Sequence, residues 1–94
     1  MIPPVRIHGC WWTVEVVEGL TDDGKPVSGL CDTETMTIRI NASNPQYMRT
    51  TLFHEIAHAS MPRLGERTIQ MIEKELYATL SDNGHLRDYL FADE

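Results

Sequence analysis

The chain has 94 residues, 41% of them hydrophobic and 23% charged, which is the balance of a folded globular protein without the apolar depletion of disordered chains. Its formal net charge is −6 and its eight Lys and Arg residues are scattered, so no basic stripe can follow a phosphate backbone and nucleic acid is not an expected partner. The N-terminal MIPPVRIHGCWW carries two prolines and no apolar signal core, and no stretch approaches the roughly 18 to 20 apolar residues of a membrane span.

These limits predict a single cytoplasmic domain over residues 1–94, small enough that a bound metal would add useful stability. From Val5 to Glu18 the chain is rich in Val and Trp. Cys10, Trp12, Val14 and Val16 alternate with Trp11, Thr13, Glu15 and Val17, predicting a strand with one side on the core. Ile7 falls out of that parity, and a bulge at Gly9 would restore it. Trp11 and Trp12 are expected as core and sheet surface, and the one that faces away from the core could line a binding groove. Thr21 to Pro26 (TDDGKP) reads as the principal loop. Val27 to Cys31 and Thr35 to Ile40 flank Asp32, Thr33 and Glu34 and are predicted to form a β-hairpin. Cys10 and Cys31 lack CxxC spacing and are expected as reduced thiols, with a cross-strand disulfide as the alternative.

After Asn41 the period changes. Asn44 suits an N-cap and Pro45 the first helical position, so a helix should run from there to about Ser60, before Pro62. A second helix is predicted from about Glu66 to Ser81, because Ile69, Ile72, Leu76, Tyr77 and Leu80 recur at helical spacing and Asp82, Asn83 and Gly84 supply a stop. From His85 to Phe91 the residues Leu86, Tyr89, Leu90 and Phe91 predict a short helical turn docked on the body, with the last three residues fraying. The element order is β, β, β, α, α, which makes the fold class α+β.

The first helix carries HExxH as His54, Glu55, Ile56, Ala57 and His58. Residues four apart stand one turn above each other on one helix face, so two imidazoles can grip one zinc ion. Glu55 is rotated about 100° from His54, beside the metal, where it can take a proton from the water that zinc activates. Catalytic zinc takes three protein ligands, and a third must come from elsewhere. HExxHxxGxxH is absent, since Met61 and Leu64 occupy its Gly and final His positions. The remaining candidates are Glu66, Glu73, Glu75, Asp82, His85 and Cys31. Glu66 and Glu73 share the inward face of the second helix with Ile69, Leu76 and Leu80, whereas Glu75 points away with Lys74. Glu66 is the better placed, because it opens that helix a short turn after His58. Tyr47, Tyr77 and His85 are candidate donors to a developing oxyanion, and His8 has no local role.

The stretch from Met36 to Asn83 resembles the small gluzincin metallopeptidases of the ImmA/IrrE-like and phage-encoded kind. The resemblance rests on Thr51 to Ala59 (TLFHEIAHA), then Glu66, Leu76, Tyr77, Asp82 and Asn83. It implies a minimal zincin-like fold, in which a small three-stranded antiparallel sheet packs on the HExxH helix and a second helix. It also implies Glu66 as third zinc ligand, and hydrolysis of a peptide or protein substrate bound beside a sheet edge. The chain lacks the N-terminal helix and the substrate-recognition domain of larger members. A zinc-stabilised interaction module without turnover is the alternative.

Overall fold

The computed structural model describes residues 2–91; the expected fraying of the last three residues lies outside them. Val5–Ile7 (β1) and Cys10–Val17 (β2) pair antiparallel with Ile7 opposite Cys10. His8 and Gly9 join them at φ of 50° and 78°. Two consecutive left-handed residues make the turn whose twist matches a β-hairpin, and Gly9 adopts this conformation without steric cost. The break in parity at Ile7 is therefore a hairpin turn, and neither a bulge nor one strand from Val5 to Glu18. The TDDGKP segment is likewise a small hairpin, with Thr21–Asp22 (β3) and Lys25–Pro26 (β4) flanking Asp23 and Gly24. Buried Asn41 ties it to the sheet, donating through Nδ2 to the carbonyls of Val27 at 2.9 Å and Leu20 at 3.4 Å.

Gly29–Asp32 (β5) and Thr37–Asn41 (β6) form the expected antiparallel hairpin, with Cys31 opposite Ile38. Asp32 Oδ1 organises its turn by accepting from the N–H groups of Glu34 at 3.0 Å and Thr35 at 3.3 Å. Those bonds, the Thr35 one foremost, hold the Asp32 carboxyl below the usual carboxylate range. β6 also pairs in parallel with β2, Val14 opposite Ile38 and Val16 opposite Ile40. The sheet is thus four-stranded and mixed, in the order β1-β2-β6-β5, which corrects the three-stranded antiparallel expectation. Parallel neighbours need a long crossover, and here the chain between β2 and β6, containing β3, β4 and β5, supplies it. Alternation along β6 reported which residues face inward, and it carries no information on which strands lie alongside.

The core lies on one side of this sheet, where Ile7, Trp12, Val14, Ile38, Ile40 and Ala59 cluster, with Met48, Leu52 and Ile56 packed against them. Ile38 and Ile40 have no exposed surface, and full burial of each contributes about 1.5–3 kcal/mol. Cys10 and Val16, expected on the core, stand exposed at the two ends of β2. Trp11 is exposed on the other face, with the Arg6 guanidinium over its ring at 5.8 Å.

Helix α1, Met48–Ser60, covers the core, and a 3₁₀ turn at Pro45–Tyr47 precedes it. Asn44 makes no side-chain cap; its carbonyl accepts from the Tyr47 N–H at 3.0 Å. At the other end His8 Nε2 lies 2.6 Å from the Ser60 carbonyl, so the first hairpin turn satisfies a terminal helix acceptor. The second helix comprises α2 (Glu66–Ile72), a π-helical turn (Glu73–Tyr77) and α3 (Ala78–Asp82). The π turn takes up an extra residue and delays the inward face by one position. Tyr77 rather than Leu76 therefore meets α1, its ring edge-on to Phe53 at 5.4 Å. Leu76 and Leu80, expected inside, are exposed. His85–Phe91 forms α4, with Leu86 half-buried and Leu90 exposed; the expected docking of the Tyr89 and Phe91 side chains lies outside what is described. Among the described residues no helix is long and apolar enough to cross a membrane.

Candidate metal centre

α1 presents three faces to three neighbours. Leu52 and Ile56 meet the core, Thr51 and Glu55 meet β5 at Gly29, and His54 and His58 turn towards α2. The two imidazoles stand one helical turn apart, with Nε2 atoms 3.1 Å from each other. Glu66, in the first turn of α2, spans both: Oε1 is 2.8 Å from His54 Nε2 and Oε2 is 2.6 Å from His58 Nε2. His54, His58 and Glu66 form a group that could hold a metal ion.

The donor set fits one. Bonds of about 2.0–2.1 Å in a tetrahedral zinc site separate ligand atoms by roughly 3.3 Å, so contacts of 3.1, 2.8 and 2.6 Å would open by about 0.2 to 0.7 Å. The remaining face of the triangle opens on a cleft of about 650 Å³. Two imidazoles and one carboxylate are a donor set that could hold a metal ion.

Glu73 does not join this group. It lies on the other side of His54, with Oε2 2.5 Å from Nδ1, the ring nitrogen that faces away from Glu66 and His58. A carboxylate on the outer nitrogen fixes the tautomer and ring orientation of a metal-binding histidine. The two glutamates that sequence placed on one helix face thus do different things, seven residues apart, to two nitrogens of one ring.

The carboxylates around His54 favour positive charge on it. Burial opposes protonation of His54, but the Glu73 hydrogen bond, followed by the charges of Glu66, Glu55 and Glu73, outweighs it and raises the imidazole pKa above its ordinary value. Burial also raises the Glu55 carboxyl; the histidines oppose this and Glu66 and Glu73 reinforce it. Cys31 on β5 is pushed up by burial, then by Glu55 and Asp32.

Cleft walls come from β5 and its flanks (Ser28 to Cys31, and Thr33) on one side and from α2 (Glu66, Gln70) and Glu73 on the other, with His54, Glu55 and His58 between them. Gln70 supports the third donor, its Nε2 3.4 Å from Glu66 Oε1. Of the other ligand candidates, Cys31 lines the cleft, whereas Glu75, Asp82 and His85 are exposed elsewhere. Tyr47, Tyr77 and His85, the expected oxyanion donors, do not line it either. Both cysteines are free thiols. Sequence reasoning missed the β5 wall and Gln70. Gly29, inside the strand expected from Val27 to Cys31 and first in β5, is the signal of close backbone approach that could have pointed to the wall.

Comparison with protein-family models, with curated proteins and with solved structures finds no match for this chain.

Proposed function

We propose that the chain is a minimal gluzincin-like zinc peptidase, in which His54, His58 and Glu66 hold zinc and Glu55 is the general base. The convergence of the two Nε2 atoms and the Glu66 carboxylate at 2.6–3.1 Å beside an open cleft carries this reading. Bound there, zinc would acidify a water and polarise the scissile carbonyl.

The chain's own groups account for the rest. β5 ends the sheet order, so one of its sides is unpaired by any strand among the described residues. The Asn41 N–H donates to the Ser28 carbonyl at 2.8 Å, and alternation along an antiparallel ladder then directs the N–H and C=O of Gly29 and Cys31 to the open side. A peptide laid along that side gains main-chain hydrogen bonds irrespective of its sequence. Glu55 takes the proton of the attacking water and returns it to the leaving amine. Glu73 keeps His54 in the ligating tautomer.

The test is Glu55→Gln, followed by peptide cleavage and zinc content on the same sample. The variant should keep its zinc and lose at least the roughly 10²–10⁴ in turnover that general-base catalysis supplies. Wild-type turnover in a zinc-loaded Glu55→Gln protein would remove Glu55 from the role. A wild type that binds zinc and cleaves no peptide would make the domain a zinc-stabilised interaction module.

A further inference from the structure

Four of the carboxylates and imidazoles around the cleft are tied by hydrogen bonds, His54 to Glu73 and both histidines to Glu66, which Gln70 also supports. None of these bonds reaches Glu55. Its side chain is buried, and what it packs against is the main chain of β5. A Cβ built on Gly29 would lie 2.7 Å from Thr51 Cγ2, 3.0 Å from Glu55 Oε2 and 3.1 Å from Glu55 Cγ.

We infer that Gly29 is a positioning residue, whose missing side chain lets β5 close on α1 and fixes the carboxylate of Glu55 by contact. The inference rests on the reading of Glu55 as the base. The two neighbours differ in stiffness. Thr51 is β-branched, and in a helix its χ1 has little freedom, whereas the end of Glu55 can swing. A methyl group at position 29 therefore displaces the base, or else moves β5, which is also the strand along which the peptide lies. Gly29 opens an edge strand to which it brings no side chain to pack, and the close approach to Glu55 gives a reason for its presence there. One residue thus couples the peptide-binding edge to the proton acceptor.

The experiment separates packing from positioning by comparing Gly29→Ala, Thr51→Ser and the double variant. Thr51→Ser removes the methyl group that a new Cβ would strike at 2.7 Å and leaves both Glu55 contacts in place. The double variant should match Thr51→Ser in melting temperature and zinc content. Its kcat should stay at least about tenfold below that of Thr51→Ser with little change in KM, since misplacing a reacting group by about 1 Å can cost around 10²-fold. Its crystal structure should show the Glu55 carboxylate displaced by a similar distance. Recovery of kcat together with stability would overturn the inference and leave a packing contact only. If the double variant instead stays destabilised, adding Glu55→Ala should restore its melting temperature, and failure to do so overturns the inference. Should the wild type cleave no peptide, the hydrolytic reading fails on its own, and the Glu55 position in the double variant still decides: an unmoved carboxylate refutes the role of Gly29.

Discussion

Removing Glu73 and removing Glu66 should both weaken zinc binding, by amounts that differ because one carboxylate reaches the ion and the other reaches it through a ring. Glu73 Oε2 accepts from His54 Nδ1 at 2.5 Å, with its side chain 27% exposed. A hydrogen bond involving a charged group is worth about 1.5–3 kcal/mol. Partial exposure selects the lower half of that range, which corresponds to about 12- to 40-fold in affinity at 1.4 kcal/mol per factor of ten. Outer carboxylates on metal-binding histidines elsewhere contribute about 10- to 100-fold, in agreement. Glu66→Ala removes a ligand. If roughly 10–16 kcal/mol of zinc binding is shared by four ligands, its loss is about 10²–10³-fold or more. Glu73→Gln, which retains an acceptor oxygen, should fall between Glu73→Ala and wild type. Competition with a chromophoric chelator at fixed neutral pH and ionic strength measures all three. Equal losses from Glu73→Ala and Glu66→Ala would refute the division of labour, and an unchanged affinity in Glu73→Ala would show that the Nδ1 contact does not govern the ligand.

Two further outcomes follow from the same groups. His54→Ala and His58→Ala should each abolish stoichiometric zinc binding, and a chelator should lower the melting temperature of the wild type but not of these variants, because a ligand bound only by the folded state stabilises it; an unmoved wild-type transition would dismiss a metal in the fold. In metal-free protein His54 and Glu55 both have raised folded-state pKa values, so their contributions are complete below the unfolded values of about 6.5 and 4.3 and are lost as pH rises through the folded ones. The metal-free melting temperature should therefore fall as pH rises from about 4.3 through the raised His54 value, while zinc occupancy rises over the same range as protons leave His54; parallel trends would contradict the assignment.

The helical half of the molecule was legible because its signals are local. His54 and His58 are one turn apart in any α-helix, and Pro62 and the Asp82, Asn83, Gly84 stop mark the ends of α1 and of the second helix within a few residues of where the structure has them. The sheet was less legible for the converse reason. The β1-β2 turn needs two left-handed residues, and His8 at φ 50° gives no compositional warning of one. The parallel pairing of β2 with β6 joins segments separated by the whole of β3, β4 and β5, and alternation is blind to that choice. The π-helical turn is a third kind of failure. It changes the phase of the second helix by one residue, so a periodic reading extended through Glu73 predicts Leu76 inward and finds Tyr77 there.

Why the phase slip occurs at Glu73 follows from what lies on either side of it. Towards the N-terminus, α2 must keep Glu66, Ile69 and Glu73 on the face towards α1, and a plain α-helix does this because seven residues return almost to the same angle. Ile69 is fully buried between the two carboxylates, which separates the group facing His58 and His54 Nε2 from the group facing His54 Nδ1. Beyond Glu73 the requirement changes from polar reach to packing, and the Tyr77 ring at 5.4 Å from Phe53 meets it. An uninterrupted helix would bring Leu76 inward and turn Tyr77 about 100° away, exchanging an aromatic edge-to-face contact worth about 0.5–1.5 kcal/mol beyond its burial for a smaller side chain. The π turn lets one rod satisfy the histidines with its first two turns and the helix beneath Phe53 with its third.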